Sequence, residues 1–223
     1  MAGDHQAHIE CVVLGHNSGR GQECGNAIAD VLLGASEPGG RLPQTWPLRM
    51  EDTVAFGDPA QYPGVDGHVR YGEDVFIGYR HYQQKKLAVQ FPFGHGLSYT
   101  TFDYGPVRGV PASFGPGDSI TLEVDVRNTG ARAGQAVVQL YVSDDQASVA
   151  RPGRELKAFA KLHLAAGASG TAKLTLTMRA FAFYDVANKR WAAEAGSFGL
   201  HLGTNADSAF ANHSVTLTGD WHG

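Results

Sequence analysis

Cysteine is almost absent. Cys11 and Cys24 are the only two in 223 residues. Two cysteines at that spacing form neither a disulfide framework nor a zinc site, and unpaired cysteine tends to be buried, so both are expected as buried thiols. No apolar run approaches the ~20 residues that cross a bilayer. The opening MAGDHQAHIECVV lacks the basic region and apolar core of a signal peptide. No membrane partner is therefore expected, and the compartment stays open. Positive charge is not in excess either: a net charge of −4 gives no reason to expect nucleic acid as a partner. The ten histidines show no metal-ligand spacing with Cys or with one another. A G-x-S-x-G elbow and a phosphate-binding P-loop are also missing. Nothing calls for a metal or a cofactor.

What is present changes character near Gly105. Ile9 to Leu14 is a short β-branched run, consistent with a buried strand, and Gly15 to Gly21 reads as a loop. Asn26 can cap a helix in which Ala27, Ile28, Val31 and Leu32 recur at helical spacing, and Gly34 can end it in a left-handed conformation. One strand and one helix cannot bury both faces of a parallel sheet, so this unit reads as the remnant of an α/β domain. Arg49 to Arg70 has no sustained period and carries Pro59 and Pro63. A connection this long is expected to wrap over a larger body. From Ser119 onward the signal is β. Ile120, Leu122, Val124 and Val126 alternate with polar residues, and Asn128-Thr129-Gly130 is a turn. Further strands are expected at Val137 to Val142, Glu155 to Leu164, Thr171 to Met178, Phe181 to Tyr184, Phe198 to Leu202 and Ser214 to Leu217. That spacing predicts a β-sandwich of immunoglobulin or fibronectin type III kind, and the missing Cys pair and core Trp of antibody domains favour the latter.

Four signatures stand in order in the first half: GQECGNAIADVLLG from Gly21, PGGRLPQTWP from Pro38, YGEDVFIGYRHY from Tyr71 and FPFGHGLSYTTF from Phe91. In the second half come VRNTGARAGQAVVQLYVSD, RPGRELKAFAKLHL and AGSFGLHLG. Together they resemble the C-terminal part of a family 3 glycoside hydrolase of the β-glucosidase type, and YGEDVFIGYRHY resembles the fungal branch. The resemblance implies a mainly β chain: a fibronectin type III-like sandwich at 109–223, preceded by a truncated α/β remnant at 1–48 and an irregular wrapping connection at 49–108. It also implies that a barrel domain supplies the family's catalytic aspartate, and that the acid/base glutamate precedes GQE. Neither has a matching position here. The chain is therefore expected to be a fragment that supports a β-glucosidase acting on a β-glucoside or oligosaccharide, with the barrel domain as its partner. The alternative is a freestanding fibronectin type III-like binding module.

Retaining glycoside hydrolysis needs two carboxyl groups about 5–5.5 Å apart across the sugar. Glu73-Asp74 is the tempting local pair, but neighbours in an extended segment point to opposite faces, so a structural pairing with Arg70 or Arg80 is expected. Asp220-Trp221 resembles the family's nucleophile motif, yet it lies at a terminus expected to fray. No residue is thus assigned as catalytic. Two candidates for the rim of a substrate pocket remain. Glu23 could touch substrate or serve as a first-turn acid favoured by the helix dipole. His95, between Gly94 and Gly96, could sit near the pocket or act as a hydrogen-bonded residue at a domain junction. Trp191 is expected in the sandwich core or at its edge.

Overall fold

The computed structural model describes residues 24–144 and 146–223. The expected strand at Ile9 to Leu14, the loop after it, Cys11 and Glu23 lie outside these residues. Helix α1, Cys24–Leu32, buries Val31 and ends at Gly34, whose φ of +76° is the expected left-handed stop. The helix is already under way at Cys24, so Asn26 sits inside it and is not its cap. Past the helix, the chain makes β1 (Trp46–Pro47), which pairs antiparallel with β2 (Val89–Phe91). Between them lie a 3₁₀ turn at Met50–Asp52 and α2, Tyr79–Gln84, which the sequence reading leaves inside the connection.

The sandwich has two main sheets. One holds β3 (Phe102–Arg108), β5 (Ile120–Asn128) and β8 (Ser169–Leu176), with β5 in the middle. The other runs in the order β4 (Ser113–Phe114), β12 (Ser208–Leu217), β11 (Gly196–Asn205), β6 (Gly134–Ser143), β7 (Glu155–Leu164). Pairing is antiparallel except between β4 and β12. A small third sheet joins β9 (Phe183–Asp185), β10 (Arg190–Ala193) and β13 (Trp221–His222). The alternation read in β5 is real: Ile120, Leu122, Val124 and Val126 are buried and the residues between them are not. They meet Leu140, Leu174, Leu200 and Phe198 in one apolar core between the main sheets.

Three expectations change. Phe102–Arg108 is a sandwich strand and not part of the connection: Phe102 pairs with Asn128 and Arg108 with Glu123, with a register shift between Tyr104 and Val107. The C-terminus is paired and not frayed. Trp221 lies opposite Ala193 and packs on the core, while the Asp220 carboxylate accepts a hydrogen bond from Ala195 N at 2.7 Å. Arg70 and Arg80 take other acids than Glu73 or Asp74. Arg70 binds Asp58 at 2.9 Å and Arg80 binds Glu155 at 3.0 Å. Glu73-Asp74 is a turn, with Asp74 at φ +52°, because the chain reverses into α2. Trp191 is at the core edge as expected, between Tyr184 and the Arg179 guanidinium, which lies 3.2 Å from its ring centre.

Candidate functional site

The three signatures that fall within the described residues meet on the five-stranded sheet. The PGGR stretch crosses β6 and β7: Lys161 Nζ donates to Gly39 O at 2.8 Å, and the Arg41 guanidinium donates to Gln135 O at 3.1 Å. FPFGHG lies beside it, joined by Leu42 N to His95 O at 2.9 Å and Gly94 N to Leu42 O at 2.8 Å. Its two glycines are steric requirements. At φ +84°, a Cβ on Gly94 would lie 2.4 Å from Gln139 Nε2, and one on Gly96 would lie 2.6 Å from Gly40 O. Phe93 O then accepts from Ala206 N at 2.9 Å, which ties the loop to the end of β11.

Helix α2 docks next to these loops through the second half of YGEDVFIGYRHY. Tyr79 places its ring edge-on to the buried Tyr141, centroids 5.8 Å apart, and its hydroxyl accepts from Leu156 N at 2.8 Å. Gln83 Nε2 donates to Ala206 O at 2.8 Å. Arg80 joins an ion cluster in which Glu155 meets Arg151 at 2.8 Å and Lys157 at 3.4 Å, and Arg151 also meets Asp144 at 3.2 Å. Burial alone would raise the Glu155 carboxyl. The hydrogen bond from Arg151 and the charges of Lys157, Arg151 and Arg80 outweigh it and hold the pKa below the ordinary value. His81, also buried, bonds through Nε2 to Asp52 O at 3.1 Å, and burial lowers its pKa.

His95 does line a cavity. About 360 Å³ in volume, it is bounded by α1, by the PGGR stretch and by the FPFGHG loop. Apolar Ala27, Val31, Leu42 and Leu97 share its wall with Glu37, Arg41 and His95. The His95 ring stacks on Phe91 with centroids 5.0 Å apart. Burial first, and the charge of Arg41 second, push its imidazole below the ordinary value, so the ring is neutral at pH 7. Its Nε2 and the Glu37 Oε2 are buried with no partner among the described residues, while Glu37 Oε1 accepts from Ser98 Oγ. Glu23, the other rim candidate, lies outside the described residues. Arg41 lies inside the PGGRLPQTWP signature and Glu37 just ahead of it, but neither belongs to a spacing that carries a chemical meaning by itself. Their signal was only that charged residues flank the Pro-Gly-Gly turn. A neutral imidazole, one carboxylate and one guanidinium can orient a polar group. They do not supply the opposed carboxyl pair of a retaining glycosidase. Among the described residues, no group of three or more His, Cys, Asp or Glu is placed to hold a metal.

Comparison with known proteins accounts for the order of these motifs. Residues 1–99 match the glycosyl hydrolase family 3 C-terminal domain, and residues 136–206 match the fibronectin type III-like domain. A β-glucosidase from Rhizobium radiobacter is 49% identical over 201 residues, which cover 90% of this chain and 24% of that protein. Thermostable β-glucosidase B from Acetivibrio thermocellus is 40% identical over 88% of this chain and 26% of its own length. The probable β-glucosidase I of Aspergillus terreus is 41% identical, so identity does not set the chain nearer to fungal than to bacterial relatives. A β-glucosidase from Kluyveromyces marxianus in complex with glucose superposes with a TM-score of 0.83 at 38% identity, covering 91% of this chain and 24% of that one. The chain thus spans about a quarter of the length of the curated relatives it matches.

Proposed function

This chain belongs to glycosyl hydrolase family 3, and from that premise we propose that it is the non-catalytic C-terminal part of a retaining β-glucosidase. The longer protein would release terminal, non-reducing β-D-glucose from a β-glucoside or oligosaccharide. The barrel domain would supply the aspartate nucleophile, and the α/β domain ahead of GQE would supply the acid/base. Residues 1–48 would complete the α/β domain, 49–101 would wrap it, and the sandwich, from β3 onward, would brace both. His95 and Glu23 would be the candidates for the rim of the longer protein's substrate pocket.

The observation that supports this reading is the anchoring of the family signatures. FPFGHG, PGGR and GYRHY each spend glycines, main-chain bonds or a tyrosine on holding a fixed position against the sandwich. A freestanding binder has no need for that scaffold, whereas an enzyme whose pocket must be rigid does. The reading is tested in two parts. Purified alone, the chain should not turn over an aryl β-glucoside, since loss of such carboxylates costs many powers of ten in rate. Exchanged for the matching quarter of the Rhizobium radiobacter β-glucosidase, it should support hydrolysis. Turnover by the isolated chain that disappears in Glu37→Gln, or an inactive chimera, counts against the proposal. Glycan binding by the isolated chain would favour the freestanding module.

A further inference from the structure

The segment between Leu48 and Ile77 leaves its apolar side chains uncovered. Nine of the sixteen large apolar side chains that are exposed among the described residues fall within it. Tyr71 is 84% exposed, Tyr62 76% and Met50 67%. Its acids Asp52 and Asp58 are bonded by arginines of the same segment, whose own side chains stay largely exposed. The Asp58 carboxylate accepts from Ala60 N and Gln61 Nε2, both at 3.0 Å, and pairs with Arg70 at 2.9 Å. Arg70 N closes the loop onto Ala60 O at 2.8 Å, and Val65 and His68 exchange two main-chain bonds of 2.9 Å around Asp66-Gly67. At its base, Arg49 holds Asp52 at 2.7 Å, and Asp52 O is held by His81. The segment therefore has a shape of its own, fixed by polar bonds, with its apolar side chains left in water. A run of that kind marks a surface meant to be covered.

The chemistry of the cover can be narrowed. Leu48, Met50, Val65, Val69, Val75 and Ile77 outnumber the exposed rings of Phe56, Tyr62 and Tyr71, so most of the patch offers no flat face for a sugar ring. The arginines at both ends are already bound to Asp52 and Asp58, so no free cluster of charge awaits a phosphate. What remains suits an apolar protein surface. The curated relatives carry about three times as much polypeptide outside the matched region as within it. We propose that residues 48–77 are the surface through which this chain docks on the remaining three quarters of a family 3 β-glucosidase. The inference rests on the function proposed above and gives it a location.

Hydroxyl-radical footprinting of the isolated chain and of the chimera with the Rhizobium radiobacter enzyme tests it. Met50, Phe56, Tyr62 and Tyr71 should be oxidised in the isolated chain and about ten-fold less in the chimera, as expected for a dry interface core. Phe159 and Tyr184, exposed on the sandwich, should react equally in both. An active chimera with an unprotected segment overturns the docking surface and leaves the function standing. A protected segment in an inactive chimera supports docking and overturns the function. Protection already present in the isolated chain, with a dimer in light scattering, would assign the segment to a second copy and overturn the proposal.

Discussion

At the scale of single residues, the family signatures are statements about space. Gly94 is left-handed, and the atom a Cβ would strike belongs to Gln139, which is buried and accepts a hydrogen bond from Tyr141 Oη at 2.6 Å. Gly94→Ala must therefore strain the backbone and displace Gln139. A cost of roughly 2 kcal/mol or more is expected, about 4–8 °C in Tm for a chain of this size. Gly40→Ala is the control: a Cβ there meets nothing within 4 Å, and its Tm should stay within about a degree of the parent. Equal losses in both, by thermal unfolding, would mean that steric fit is not what the glycines of this region serve. Asn128 makes the complementary case for polar fit. Fully buried, it donates to Arg132 O at 2.7 Å and Leu164 O at 3.0 Å, and accepts from Thr100 Oγ1 at 2.5 Å and Gly130 N at 3.1 Å. Asn128→Ala leaves several of these groups buried without partners, at about 1–3 kcal/mol each, so a loss of about 3 kcal/mol is expected in denaturant unfolding. Asn128→Asp should do no better at neutral pH, because a carboxylate cannot donate to either carbonyl.

At the scale of elements, legibility followed the number of faces buried. β5 and β8 each bury one face, so their alternation was plain in the sequence. β6 is buried along almost its whole length and could be read only as an apolar run. β3 was missed because Gly105 and Pro106 interrupt it. The structure tolerates them where the ladder with β5 slips between Tyr104 and Val107, at a sheet edge where a missing N–H costs little. Six-residue α2 had no helical stripe to find, because its position is set by partners far along the chain: Leu156, Glu155 and Ala206. For the same reason the cavity around His95 was half legible. The glycines pointed to a junction, but Glu37 and Arg41 join it only through the fold. The ion cluster that holds α2 makes a pH prediction. The Glu155 pKa is depressed on folding, so its contribution is complete above the unfolded glutamate value of about 4.3 and is lost as pH falls through the lower, folded value. Glu155→Gln leaves Arg151 and Lys157 without their shared carboxylate and should cost about 3 kcal/mol at pH 7. The gap between parent and variant should close as the medium is acidified through the folded carboxyl's depressed pKa, where the parent's carboxylate is protonated as well. A gap in Tm that stays constant from pH 7 to 3 would assign the loss to packing and not to charge.

For the whole molecule, the question is where the self-sufficient unit begins. The main apolar core lies within the sandwich, with only a small cluster of Leu42, Phe91 and Trp46 outside it among the described residues, and Phe102, Tyr104 and Val107 of β3 pack against the main core. On the outer side, the segment from Gly39 to Phe93 lies over β6, β7 and the end of β11, where Tyr141 and Gln139 are buried. The two parts are therefore expected to unfold in order of what they cover. A chain shortened to Thr101–Gly223 keeps the core but bares the Tyr141 face, and it should fold with a lower Tm than the full chain. A chain shortened to Ser113–Gly223 also loses β3. Removing three partly buried apolar side chains at about 1 kcal/mol each sets the scale of the added loss, roughly 3 kcal/mol. It also turns β5 into an edge strand with unpaired N–H and C=O groups along its length, which favours association. The expected order of Tm is full chain, then 101–223, then 113–223, with the last one self-associating in light scattering. If 113–223 proved as stable and monomeric as 101–223, β3 would be a dispensable part of the connection, and the border between wrapping segment and sandwich would move back to the residues after Arg108.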